Sequence, residues 1–246
     1  MRNLLLLWAV LFVAVPGHLV ADGGLDDPVA RDESLAIKNN LKAVLEALGA
    51  PPVGYAKAAE NYDLPTSMGF DKAAGRFWLV EAHADFEFTS GMSGEQMAQE
   101  YQKKVMAAQA KGDYAEVQRL ASELQQGMAA AMGAEMSKIK VTARLNNHAH
   151  QAIDPEGVVW ETGGAIALRL EGGQPGNVRI MLAFDPKSLA DTKTLSLISL
   201  GPSLTESAAT KTAVRTVVVE IDGPQEAVTA WANGVDKGRI LALIKG

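Results

Sequence analysis

Several segments of the chain alternate apolar and polar residues with a period of two, beginning with residues 76–89. There, Phe86 and Phe88 lie on one side of an extended chain, while His83 and Asp85 lie on the other. Such alternation is typical of a strand with one buried and one solvated face, and it favours antiparallel pairing. The same pattern recurs in residues 139–145, 158–170 and 178–184, and residues 195–200 and 212–222 are two further predicted strands. The sequence therefore predicts an antiparallel sheet of about five to six strands.

A helical period interrupts the alternation over residues 93–136. Gly112 is a natural helix stop at the middle of this segment. Asp113 and Glu116 then have the spacing of a capping box, which starts a second helix. We expect an αα-hairpin inserted between two strands.

Further helices are predicted near both ends of the chain. An amphipathic helix runs to Leu48, with Asp27 as its expected cap and Pro28 in its first turn. Residues 50–75 have the composition of a loop, with a short helix near residues 55–62. Two short helices follow residue 222. Because no helix crosses regularly between strands, we expect an α+β fold with the hairpin and the N- and C-terminal helices packed on one face of the sheet.

The first 21 residues have the three parts of a secretory signal peptide, with Arg2 before an apolar run over residues 4–15 and Ala21 at the expected cleavage position. A retained membrane anchor is the alternative, but an apolar run of 12 residues is short for a hydrocarbon core of about 30 Å. The chain has no cysteine, which excludes a lipid anchor on a Cys side chain. We expect an exported bacterial protein, periplasmic or secreted. Its expected segments are a signal peptide (1–21), an N-terminal helix and loop (22–75) and an α+β domain (76–246).

Composition narrows the class of function. Hydrophobic residues make up 48% and charged residues 21% of the chain, as in globular proteins. The formal net charge of −6 gives no electrostatic reason to bind nucleic acid. No later segment is apolar enough for a transmembrane helix. The motifs of serine hydrolases, phosphate-binding loops and zinc proteases are missing from the sequence, so an enzyme is not favoured. A hydrolase stays an alternative, because catalytic residues can come from distant positions.

Three histidines are candidate metal ligands. His148 and His150 are two residues apart at the end of the strand that starts near Ile139, so both imidazoles are expected on its polar face. His83 lies on the polar face of its own strand. If these strands pair, the three side chains could bind zinc or copper. The alternative is three ordinary exposed histidines.

Three methionines recur every four residues at Met128, Met132 and Met136. Leu120 and Leu124 extend the same stripe, so a core-facing helix is the favoured interpretation. A groove for an apolar ligand or partner is the second interpretation, because methionine surfaces adapt to varied ligands. Binding of Cu(I) by the thioethers is the third.

The glycines of the segment 160–164 predict either a bulge or a close approach of the backbone to another group, and a simple bulge is favoured. Taken together, these patterns favour an exported soluble protein without a cofactor. It would bind a small apolar or amphipathic ligand or a protein of the cell envelope. A metal-binding protein and a hydrolase are the alternatives.

Overall fold

The computed structural model describes residues 26–90, 94–124, 137–173, 176–201 and 203–245, with the backbone alone for 94–97. Its strands are β1 (Asp27–Pro28), β2 (Ala56–Asp63), β3 (Ser67–Met68), β4 (Phe70–Asp71), β5 (Arg76–Trp78), β6 (Ala82–Thr89), β7 (Ile139–Leu145), β8 (Ala149–Ala152), β9 (Val158–Thr162), β10 (Ala165–Glu171), β11 (Asn177–Phe184), β12 (Leu197–Leu200), β13 (Leu204–Thr205) and β14 (Val217–Pro224). Its helices are α1 (Arg31–Ala47), α2 (Gly94–Ala110), α3 (helical over the described residues 114–124), α4 (Gln225–Asn233) and α5 (Lys237–Leu243).

The main sheet is antiparallel and has seven strands in the order β2-β6-β7-β14-β11-β10-β9. The predicted α+β class and antiparallel sheet are confirmed, although the sheet is larger than predicted. The expected strand over residues 158–170 is a hairpin that turns at Gly163 and Gly164. The expected strand over 195–200 forms β12, which leaves the main sheet and pairs with β8.

Strand β2 corrects the prediction of a loop and short helix over residues 55–62. It forms the edge of the sheet beside β6, and most of its side chains are exposed. The ring of Tyr62 contacts Phe86 with 5.8 Å between centroids. An edge strand whose side chains are mostly solvated carries few large apolar residues, so its alternation is weak and pairing with β6 decides its conformation.

The first face of the main sheet packs against helices from both ends of the chain. The buried helical residues on this face are Ile37, Leu41 and Val44 of α1, Val228, Trp231 and Ala232 of α4, and Ile240 of α5. Two tryptophans also bond to helix ends: Trp231 Nε1 donates to Leu48 O and Trp160 Nε1 donates to Ala232 O, each at 2.9 Å. The terminal helices therefore share one core with the sheet.

Helix α1 starts later than expected. Its first residue is Arg31, and Glu33 Oε2 accepts from the backbone nitrogen of Ala30 at 2.7 Å. The expected cap, Asp27, instead belongs to β1, which pairs with β3. The Asp-Pro pattern thus marks a short extended segment before the helix.

The second face of the sheet is divided in two. One half packs against the β8–β12 ribbon, where Ile198 and Leu200 meet Ile166, Leu168 and Met181 of the main sheet. The other half, formed mainly by β6, β7 and parts of β14 and β11, carries polar side chains that are only partly covered. The predicted wet face therefore exists on only part of the sheet.

The helices α2 and α3 lie between β6 and β7 in the chain, and these two strands are neighbours in the sheet. Gly112 has a φ of 69° in the turn between the helices, and Asp113 Oδ1 accepts from the backbone nitrogen of Glu116 at 3.0 Å, as expected. Ala108 and Leu120 are buried but belong to neither apolar cluster of the sheet. The described helices include none with the length and apolarity needed to cross a membrane.

Candidate functional site

A cavity of about 620 Å³ opens where β11 ends and β14 begins. Its lining comes from four separate parts of the described chain: residues 185–188, residues 201, 203 and 204, residues 215–216, and Ile244. We call it the Arg215 cavity. Its volume falls within the range of roughly 300–1,000 Å³ that is common for small-molecule sites.

The first wall is a turn held by a buried carboxylate. Asp185 is 8% exposed, and its Oδ1 accepts from the backbone nitrogens of Lys187 at 2.8 Å and Ser188 at 3.1 Å. The backbone nitrogen of Asp185 donates to Gly164 O at 2.9 Å. Aspartate commonly closes turns in this way. The side chains of Lys187 and Ser188 are therefore presented from a fixed backbone.

The second wall is held by Asn146. Its Oδ1 accepts from the backbone nitrogens of Arg215 at 2.8 Å and Thr216 at 3.4 Å. Its own backbone nitrogen donates to Thr216 O at 3.0 Å. Asn146 has a φ of 59°, a left-handed conformation that asparagine tolerates better than most residues. The hydrogen bonds accepted by Asn146 Oδ1 fix the backbone that carries the Arg215 side chain.

The remaining walls are mainly apolar. Leu204 pairs with Trp78 between β13 and β5, and Ser203 O accepts from the backbone nitrogen of Leu79 at 2.8 Å. Ile244 lies just after α5, where the backbone nitrogen of Lys245 donates to Val214 O at 3.0 Å. Leu204, Ile244 and Pro186 give the cavity an apolar part in addition to its cationic side chains.

Several polar side chains of the cavity lining have no hydrogen-bond or ion-pair partner among the described residues. Within the described residues, no hydrogen bond or ion pair is formed by the side chains of Lys187, Ser188, Ser203 and Arg215. The buried hydroxyl of Thr216 also has no partner there. The cavity lining contains the cations Lys187 and Arg215 and the anion Asp185, so it carries one net positive charge. The net charge of the whole chain is −6. The cavity is thus locally cationic in an acidic protein and suits an anionic group.

Asp185, Ser188 and Ser203 are residue types that hydrolases use. Asp185 Oδ1 is already engaged by two backbone nitrogens. Across the described part of the chain, neither seryl hydroxyl bonds to a histidine or a carboxylate. An activated serine needs such a base within hydrogen-bond reach. The described residues therefore place no activated serine in this cavity.

The structure places His83 and His150 in two different sheets, and His148 lies directly before β8. Strand β7 ends at Leu145 and the chain turns at Asn146, so the expectation that His148 and His150 continue its polar face is wrong. His150 instead pairs with Ser199 between β8 and β12. His83 stays on β6 as expected, with its Nδ1 3.6 Å from Asp63 Oδ2.

The described ranges contain no group of three His, Cys, Asp or Glu side chains that could hold a metal ion. Zinc or copper binding by His83, His148 and His150 thus stays a prediction from the sequence pattern. His148 does lie beside the Arg215 cavity, because its Cε1 would be 4.0 Å from a Cβ atom on Gly201.

The methionine and glycine predictions have different outcomes. Met128, Met132 and Met136 lie outside the described residues. The favoured bulge at the glycines is wrong, because Gly163 and Gly164 form a hairpin turn and the irregular register lies between Ala167 and Leu168. Gly164 has a φ of 83°, and a Cβ atom there would lie 3.0 Å from Pro186 Cα. The glycine instead permits a close approach to the turn that lines the cavity.

Sequence patterns did not identify Lys187, Ser203 or Arg215 as site residues. The only local signal was the Asp185–Pro186 dipeptide, which is typical of a turn. Comparisons of the chain with protein-family models, with curated proteins and with solved structures find no match. The geometry and charge of the cavity are therefore the basis for a function.

Proposed function

We propose that the protein binds a small amphipathic anion in the Arg215 cavity. The observation that carries this proposal is the guanidinium of Arg215, which lines the cavity and has no partner among the described residues. A guanidinium presents a planar set of donors that matches a carboxylate or phosphate. Lys187 adds a second cation on the same lining.

The apolar side of the cavity supports an amphipathic ligand over a simple inorganic anion. Pro186, Leu204 and Ile244 can cover a hydrocarbon part, while the hydroxyls of Ser188 and Ser203 can bond to polar atoms. Sites of this kind combine apolar walls with a few placed polar groups that set orientation. The proposal narrows the sequence-based expectation of a small apolar or amphipathic ligand to one that carries negative charge.

We also propose that the protein acts outside the cytoplasm. The support is the signal-peptide pattern of residues 1–21. N-terminal sequencing of the protein recovered from a bacterial periplasm tests this. A mature start at or near Asp22 is expected, and recovery of the intact chain from the cytoplasm would contradict it.

Calorimetric titration with octanoate tests the binding proposal, because this probe joins a carboxylate to a hydrocarbon chain. Arg215→Ala is expected to weaken binding at least tenfold, which corresponds to about 1.4 kcal/mol. Arg169→Ala is the control, since Arg169, like Arg215, has no partner among the described residues but lies outside the cavity. It should leave the affinity unchanged.

Two further probes separate the charged and apolar parts of recognition. Octanol has the hydrocarbon chain without the charge, and inorganic phosphate has the charge without the chain. Both are expected to bind more weakly than octanoate. Equal affinity for octanol, or equal weakening by the Arg215 and Arg169 substitutions, would contradict the proposal.

A further inference from the structure

The polar half of the second sheet face forms a separate groove of about 390 Å³. Its floor comes from β7, β14 and β11, and we call it the Lys140 groove. The Gly172–Gly173 segment closes one side, because Gly173 donates from its backbone nitrogen to Asp222 Oδ2 at 3.3 Å. A Cβ atom on Gly172 would overlap the carbonyl of Asn177, so this segment lies directly against the start of β11.

The carboxylates of the groove are already engaged by neighbouring strands. Glu220 Oε1 accepts from Arg144 Nη1 at 2.6 Å. Asp222 Oδ2 lies 3.4 Å from Arg179 Nε. These pairs join β14 to β7 on one side and to β11 on the other. The negative charges of the two carboxylates are therefore largely neutralised by the neighbouring arginines.

Lys140 is the exception among these charges. It lies on β7 in register between Glu87 and Asp222, both of which have other cationic partners. Within the described structure, the Lys140 ammonium has no hydrogen bond or ion pair, and the Asn177 carboxamide has none either. The groove therefore offers one surplus cation beside an amide that can both donate and accept.

Thr142 adds an acceptor on the same strand. Its Oγ1 donates its proton to Asp85 Oδ1 at 2.6 Å, which leaves the lone pairs of the hydroxyl oxygen for a ligand. The named side chains of the groove are all polar, in contrast to the mixed walls of the Arg215 cavity. The two sites also lie at different parts of β14, near residue 216 and at residues 220–222.

We propose that the Lys140 groove is a second binding site, selective for a small hydroxylated anion such as a sugar acid or a sugar phosphate. The anionic group bonds to the Lys140 ammonium, and ligand hydroxyls bond to Asn177 and Thr142. A hydrocarbon chain gains nothing in this groove because its named lining residues offer no apolar wall.

Titration followed by amide NMR tests this site, with gluconate and glucose 6-phosphate as probes and glucose as the uncharged control. Saturable shifts are expected at Lys140, Gly173 and Asn177 with at least one anion, and its affinity relative to the other identifies carboxylate or phosphate as the preferred group. Glucose is expected to bind at least tenfold more weakly. Absence of saturable shifts at these residues with both anions would overturn the proposal.

Two variants report on the groove without disturbing the core. Lys140→Ala is expected to weaken anion binding at least tenfold, and Asn177→Asp should also weaken it because it adds negative charge to the lining. Lys193→Ala is the matched control, an exposed lysine outside the groove. Unaltered affinity in Lys140→Ala, with an unchanged melting temperature, would overturn the assignment.

Discussion

Asn146 Nδ2 donates a hydrogen bond of 2.8 Å to the carbonyl oxygen of Val80, which lies 66 positions earlier in the chain. The same nitrogen donates to Ala213 O at 2.9 Å, while the side-chain oxygen accepts from the backbone of Arg215. Asn146 is 3% exposed. One buried amide thus ties together the segments that flank β6, β7 and β14, and it fixes the backbone at the Arg215 cavity.

Asn146→Ala is expected to destabilise the protein by about 3 kcal/mol, because it removes the partners of several buried backbone groups and places alanine at a positive φ. Asn146→Gly relieves the backbone strain but not the loss of hydrogen bonds, so it should cost about 1 kcal/mol less. Urea unfolding measures both. Asn39→Ala, at an exposed position of α1, is the control and should change stability little. Equal stability of the Asn146→Ala variant and the wild-type protein would show that the amide contacts contribute nothing.

Lys211 holds the first described strand in place. Its Nζ lies 2.7 Å from Pro28 O, 2.8 Å from Asp27 Oδ2 and 3.6 Å from Glu33 Oε2. The hydrogen bond with the Asp27 carboxylate, together with the charge of Glu33, raises the pKa of Lys211 above the ordinary lysine value. The charged ammonium is therefore favoured in the folded state.

A raised pKa makes this contribution to stability depend on pH. It is fully present below the unfolded-state value of about 10.4 and is lost as the pH rises through the higher folded-state pKa. Lys211→Met should lower the melting temperature at neutral pH, and the difference from wild type should shrink at strongly alkaline pH. Lys72→Met, at an exposed position, should show neither effect. A difference that is constant up to alkaline pH would contradict the role of the charge.

Alanine substitutions at Gly164 and Gly176 distinguish the effect of backbone strain on stability from the effect of close packing. Their φ values are nearly equal, at 83° and 84°. A Cβ atom at Gly176 would meet no described atom within 4 Å, whereas at Gly164 it would lie 3.0 Å from Pro186 Cα. Gly176→Ala is expected to cost about 1 kcal/mol from its left-handed backbone alone.

Gly164→Ala should cost more, about 3 kcal/mol, because the turn carrying Pro186 must also move. It should weaken octanoate binding as well, since that turn lines the Arg215 cavity. Thermal unfolding and calorimetry measure the two effects. Equal costs for the two substitutions would show that the contact with Pro186 can relax freely.

Zinc titration tests the histidine hypothesis. His83 lies on the main sheet and His150 on the β8–β12 ribbon, so we expect no site that uses both. Any heat of zinc binding should fall in the His148→Ala, His150→Ala double variant and persist in His83→Ala. Loss of binding in His83→Ala would show instead that the three imidazoles converge.

Local patterns in the sequence determined much of the secondary structure. The alternation in β6, β7 and β11 predicted antiparallel strands because each strand carries its own apolar and polar faces. Gly112 and Asp113 predicted the break between α2 and α3 for a similar reason, since a helix end is set by its nearest residues. Composition and the first 21 residues supplied the expectation of an exported globular chain.

Tertiary structure alone decided the features that depend on partners distant in sequence. Edge strand β2 has little amphipathicity of its own and forms by pairing with β6. The polar half of one sheet face exists because the β8–β12 ribbon covers only the other half. The Arg215 cavity brings together residues from four parts of the chain, and their meeting depends on strand order and on the bonds of Asn146. A periodic pattern reports which face of an element is buried, but not which other element will cover it.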